Sequence, residues 1–275
     1  MTTTILLVGH GSRNQTGNDE IKAFKQQWQQ QHPDWRIELC YIELADVLLP
    51  EGLQHAAQGA DRVIVIPLIL SAAGHVKAEI PEHIAEVRER FPQVEFVYAP
   101  HIGANSEILK VLKNSLKSVM QKLAMPDPKN TGVIILGRGS SDRVANGELA
   151  KLARWLYEDT EHELIDIAFT GITHPRLETA IQRQVNLGMT QIAILPYYLF
   201  TGLLIERITL QVTRLQTQYP QIAIASGSYF GFDKAVFKLL DQRVFETDDP
   251  VAPKMLECDG CQYRELAIQH VHHDH

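Results

Sequence analysis

Gly9-His10-Gly11-Ser12 and Gly137-Arg138-Gly139-Ser140 stand 128 positions apart, and each follows a short apolar run, Ile5-Leu6-Leu7-Val8 in one case and Val133-Ile134-Ile135-Leu136 in the other. The same offset returns downstream, where Phe91-Pro92-Gln93-Val94 answers Tyr219-Pro220-Gln221-Ile222 and Gly103 answers Gly231. Between these anchors Ile64-Val65-Ile66-Pro67 matches Ala193-Ile194-Leu195-Pro196 at an offset of 129, so one residue is gained and then lost again. The chain writes one α/β unit twice. In this register His10 faces Arg138 and His75 faces Leu203, so one half holds a pair of histidines that the other lacks.

Apolar runs of four to six residues alternate with helical patterns, the signature of parallel sheet with crossover helices. Strands are predicted near 4–8, 36–42, 62–67 and 94–98, with helices near 16–31, 49–58 and 78–91 and a fourth after Asn105. The second half repeats this plan, with strands near 132–136, 164–169, 191–196 and 222–226 and helices near 143–158, 176–187, 204–218 and 233–246. The expected architecture is α/β: two tandem domains, 1–125 and 131–246, each a parallel four-stranded sheet flanked by helices, enclosing a cleft. Pro126 and Pro128 mark the boundary, and residues 247–275 form a Cys- and His-rich tail.

A length of 275 residues with 45% apolar content is enough for a full core. The net charge of −7 argues against a nucleic-acid partner, which would want a clustered basic face. No apolar run approaches the roughly 18 residues of a membrane span, and the N-terminus has no export signal, so a cytoplasmic protein, most simply a monomer, is expected. Cys40 lies in an apolar run and reads as a core residue.

Ligands of such sheets bind beyond the carboxyl ends of the strands. His10 follows strand one, Glu43 follows strand two, and His75 follows strand three, so three metal-competent side chains gather at one edge. The glycines of the Gly-x-Gly-Ser turns permit a tight bend whose free N–H groups attract anions. A glycine turn alone is the plainer reading; the histidine held between the glycines of the first copy moves the balance toward a site. Histidines 32, 55, 83, 162 and 174 are expected on solvated surface, with His101 a weaker candidate just past strand four. Cys258 and Cys261 supply only two thiolates, whereas a structural zinc or iron–sulfur centre usually takes four ligands. Weak transition-metal binding by a tail that also carries His270, His272, His273 and His275 is the plainer reading, and an iron–sulfur or other metal centre at the cysteines the alternative.

Leu6-Leu7-Val8-Gly9-His10-Gly11-Ser12-Arg13, Glu43-Leu44-Ala45 and Ile66-Pro67-Leu68-Ile69-Leu70-Ser71-Ala72-Ala73-Gly74-His75 together resemble the class II chelatases of tetrapyrrole biosynthesis, in the long two-domain sirohydrochlorin form. The resemblance covers residues 1–246. It implies insertion of Co²⁺ or Fe²⁺ into sirohydrochlorin, in cobalamin or siroheme biosynthesis, and the histidine-rich tail favours Co²⁺. His10 and His75 match the family's two active-site histidines, as metal ligands and bases. Imidazole suits both tasks, and Glu43 is the carboxylate that would hold a hydrated ion or relay protons. Sirohydrochlorin is rich in carboxylates, so an acidic protein needs local donors for it. Ser12, Arg13, Lys77, Arg138, Ser140 and Arg207 are the candidates. A metal or tetrapyrrole carrier without turnover and a two-lobed solute-binding protein are the rival readings.

Overall fold

The structure, a computed structural model, describes residues 2–123 and 125–248. One compact unit runs to Gly103 and resumes at Phe237; the other is Ala104–Val236. In the first unit β1 (Thr3–Gly9), β2 (Arg36–Tyr41), β3 (Arg62–Pro67) and β4 (Glu95–Tyr98) form a parallel sheet in the order β2-β1-β3-β4. The second unit repeats it with β5 (Thr131–Gly137), β6 (Ile165–Phe169), β7 (Gln191–Pro196) and β8 (Ala223–Ser226) in the order β6-β5-β7-β8. The helices of the first repeat are α1 (Gln15–Gln31), α2 (Leu49–Ala57), α3 (Ile80–Arg90) and α4 (Ser106–Met120). Those of the second are α5 (Arg143–Glu158), α6 (Leu177–Asn186), α7 (Leu203–Gln218) and α8 (Lys234–Glu246). Among the described residues no helix is long and apolar enough to cross a membrane.

Near-continuous apolar strands must be covered on both faces. Leu6, Val8, Cys40, Val63 and Val65 pack with Leu49 and Leu53 of α2 and Ile80 and Ile84 of α3. Phe24 and Trp28 of α1 are fully buried outside that cluster. Their partner is α8, not α4. Phe237 stacks on Phe24 with ring centroids 4.3 Å apart, and Asp241 accepts from Trp28 Nε1 at 2.9 Å and pairs with His32 Nε2 at 2.8 Å. Arg243 donates to the carbonyls of His101 and Ile102, and Arg62 to that of Thr247, fastening α8 at its end. Meanwhile α4 packs on β7, β8 and α5. The fourth helices are therefore exchanged relative to the repeat: a division near residue 125 follows the duplication, while the compact units cut the chain at other points.

The duplication extends to single backbone bonds. Ile42 N donates to Gly9 O and Thr170 N to Gly137 O, both at 2.9 Å; Glu43 N donates to His10 O and Gly171 N to Arg138 O. Gly11 and Gly139 have φ of 86° and 88°, a left-handed conformation that suits glycine. A Cβ on Gly11 would lie 1.7 Å from Glu43 O, and one on Gly139 2.3 Å from Gly171 O. Farther on, Ala73 O accepts from Val76 N and Lys77 N, as Gly202 O does from Ile205 N and Glu206 N. That register pairs His75 with Leu204, which corrects the sequence alignment to Leu203 by one residue. The first half places a π-helical turn, His75–Glu79, ahead of α3, whereas α7 begins without one. A π turn takes up one additional residue, which is how the offset of 129 returns to 128.

His162 departs from the expectation of a solvated histidine. It is 6% exposed in the α5–β6 loop, and among the described residues neither ring nitrogen has a hydrogen-bond partner. Burial holds its pKa below the usual histidine value, against the opposing pull of Glu161. The unfolded chain thus takes up a proton at a pH where the folded chain refuses it, so this group subtracts stability as pH falls below about 6.5. His162→Phe is expected to flatten the acid-side loss between neutral pH and the folded-state pKa. Urea denaturation of both proteins on either side of pH 6.5 checks this; an identical decline in the two would refute it.

Candidate metal site on the first unit

β1 and β3 are neighbours, and Val8 pairs with Pro67, so the chain leaving each strand emerges at one edge. His10 follows β1 directly. His75 opens the π turn after β3, and the two imidazole rings meet with centroids 4.9 Å apart at an interplanar angle of 82°. His75 Nδ1 lies 2.5 Å from Glu79 Oε2. His10 Nδ1 lies 3.2 Å from Gly11 O and 3.6 Å from Glu43 Oε1. In each ring Nδ1 faces oxygen, the kind of partner that fixes the tautomer and orientation of a ligating histidine. The side chains of His10, Glu43, His75 and Glu79 are 29, 49, 43 and 39% exposed, open enough to exchange a ligand with solution.

Among the described residues no group of three or more His, Cys, Asp or Glu side chains is arranged to hold an ion. Two imidazoles with carboxylates behind them are fewer ligands than a structural metal cage requires.

His10, Glu43 and His75 are thus brought together, and Glu43 reaches the edge because Gly11 admits its carbonyl. Glu79 was not among the sequence candidates. It reads as one more acid in a helical run, and the only signal for it is its position four residues after His75. Lys77 lies in the same π turn, and Arg13 is exposed on the turn after His10. Ser12 Oγ accepts from Asn14 N and Ser140 Oγ from Asp142 N, both at 3.0 Å, and Ser140 N donates to Asn146 Oδ1. The serine hydroxyls are therefore partnered inside their turns, and so is the Ser140 N–H. On the second unit Arg138 is exposed, and Arg207 lines a groove of about 470 Å³ with Thr170, Glu178, Gln211 and Arg214. His101 sits against Gly103. Cys258, Cys261 and the histidines of the tail lie outside the described residues.

The family model CbiX matches residues 4–119 and again 132–247. The chain belongs to the CbiX family. It is 37% identical over 273 residues to the sirohydrochlorin cobaltochelatase of Priestia megaterium, covering 98% of this chain and 87% of that one. It is 30% identical over 241 residues to the sirohydrochlorin ferrochelatase of the same organism, covering 87% and 88%. Among solved structures it matches SirB from Bacillus subtilis with Fe³⁺ at a TM-score of 0.78 and 31% identity, over 90% of this chain and 96% of that one. The doubled family match coincides with the two four-stranded sheets.

Removing the oxygen partner of a ligating histidine typically costs 10–100-fold in metal affinity. Glu79→Gln is therefore expected to weaken Co²⁺ binding at the histidine pair by about that factor without loss of fold. Titration followed by the visible Co²⁺ bands, in a chain ending at Asp248 to remove the tail, checks it. Unchanged affinity would show that Glu79 does not set the ring of His75.

Proposed function

We propose that the chain is a sirohydrochlorin chelatase that inserts a divalent metal into the ring, with Co²⁺ favoured over Fe²⁺. The observation that carries this reading is the pair of imidazoles at an open strand edge, each with Nδ1 engaged, in a CbiX-family chain. The higher identity with the cobaltochelatase, over more of this chain, than with the ferrochelatase favours cobalt. A monomer in the cytoplasm belongs to the same reading.

Insertion exchanges one divalent ion for two pyrrole N–H protons. His10 and His75 would bind the ion through Nε2 in place of water, as imidazole does for first-row metals. As the ion passes to the ring nitrogens the two Nε2 atoms are released, and each can accept one of the two protons. Glu79 at His75 Nδ1 and Glu43 near His10 Nδ1 would stabilise the resulting imidazolium groups and relay the protons to solvent. Ser12, Arg13, Lys77, Arg138, Ser140 and Arg207 remain the candidates for the substrate's carboxylates. Of these the arginines fit best, since each offers a fork of donors that matches a carboxylate.

Substituting His75 by alanine is expected to lower insertion on the order of 10²-fold or more, with circular dichroism and thermal unfolding unchanged because the side chain is part-exposed. Near wild-type turnover would refute the paired-imidazole mechanism. Protein present below stoichiometry separates this enzyme from a carrier, since only a catalyst yields many metallated rings per chain.

A further inference from the structure

The second unit keeps the backbone frame of the metal site and replaces its side chains in one consistent direction. By the matched hydrogen bonds and bridges, His10 becomes Arg138, Glu43 becomes Gly171 and His75 becomes Leu204. Around them Ile42 becomes Thr170, Leu48 becomes Arg176, and Ile69 becomes Tyr198. Both imidazoles and the Glu43 carboxylate are gone. Two guanidiniums and two hydroxyls have arrived.

These new groups lie together. Thr170 Oγ1 and the Tyr198 hydroxyl are 2.7 Å apart. Burial raises the Tyr198 pKa to about 12, against the lowering effects of the Thr170 hydrogen bond and of the Arg138 charge, so the phenol keeps its proton and the Arg138 guanidinium lies within electrostatic reach of it. Arg176 reaches the same turn, with Nη1 at 3.9 Å from where a Cβ on Gly171 would stand, and Arg138 O at 3.6 Å from that point. A side chain beginning at residue 171 would touch both groups at ordinary van der Waals distance. Arg176 Nη1 is shut off from solvent and has no hydrogen-bond partner among the described residues. A buried donor left unpaired is costly and calls for a partner. The side chain as a whole is only half-buried, so the fork is within reach of a ligand.

We propose that this converted site binds a carboxylate, with Arg176 its anchoring residue, assisted by Arg138 and the Thr170–Tyr198 hydroxyl pair. Among the described residues no hydrogen bond joins Arg176 Nη1 to a carboxylate of the protein, and this unmet donor is what the proposed carboxylate would satisfy. Under the proposed function, on which this inference rests for its ligand, the carboxylate is a side chain of the tetrapyrrole. Arg176 touches no metal and moves no proton; it holds substrate.

The test is binding of metal-free sirohydrochlorin to the full chain, followed by the ring's absorption or fluorescence. Arg176→Met keeps much of the aliphatic stem and removes the fork. A charge-assisted hydrogen bond is worth about 1.5–3 kcal/mol, so the dissociation constant is expected to rise roughly tenfold to hundredfold. KM should rise with it, while kcat at saturating ring and Co²⁺ binding by His10 and His75 stay as in the wild type. Loss of a neutral bond in Tyr198→Phe should weaken ring binding by a few-fold, and this variant serves if Arg176→Met fails to fold. Ring binding unchanged in a folded Arg176→Met, or in Tyr198→Phe where the former is unfolded, overturns the proposal. So does inorganic phosphate that binds through Arg176 while ring affinity is indifferent to it, since the site would then serve a free anion. A wild-type chain that binds no sirohydrochlorin at all would instead overturn the functional reading.

Discussion

The carbonyl oxygen of Glu43 occupies the place where a side chain on residue 11 would begin, 1.7 Å from an added Cβ. This close approach ties the chain leaving β2 to the turn leaving β1, with Glu43 N donating back to His10 O. It holds His10 at the strand edge, brings the Glu43 carboxylate to its Nδ1, and leaves the imidazole facing His75 across the neighbouring strand. Any side chain at position 11 would force the β2 loop away and meet an unfavourable φ as well. Gly139 makes the same approach in the second unit, so the frame is common to both copies, and only the groups mounted on it differ.

Under the proposed function, a shared frame with opposite chemistry is what the duplication supplies. On one copy lone-pair nitrogens with carboxylates behind them suit a cation that must bind and depart. On the other, guanidinium forks and neutral hydroxyls suit an anion that must be held. The π turn belongs to this difference. It is found where His75 and Glu79 come into register and is missing where Leu204 stands. The exchange of α4 and α8 also follows from elementary packing, since each sheet needs a cover for its second face and the duplicated helices are similar enough to serve either.

Much of this was legible in the residues. Apolar runs at matched offsets located the strands, and the Gly-x-Gly-Ser turn and the loop after the third strand located the edge where His10 and His75 meet, because strand ends and glycine turns are written in local sequence. The exchanged helices were not legible, since amphipathic α4 and α8 state that they cover a sheet but not which one. Glu79 was hidden because it reads as one more acid in a helical run, marked only by its place four residues after His75 and next to the one-residue change in offset. That offset also hid Leu204 behind Leu203. Arg176 was passed over because it opens a helix, where a basic residue ordinarily faces solvent. His162 was assigned to the surface as a histidine in a turn, although its loop buries it.

One metal station per chain, on the first unit alone, is the claim on which the functional account stands. It is tested most directly by anomalous diffraction at the cobalt edge from crystals soaked in Co²⁺. The account requires a peak within bonding distance of His10 Nε2 and His75 Nε2 and none at the turn carrying Arg138. A peak on the second unit at Arg138 and Leu204, or an empty histidine pair under saturating cobalt, would contradict it.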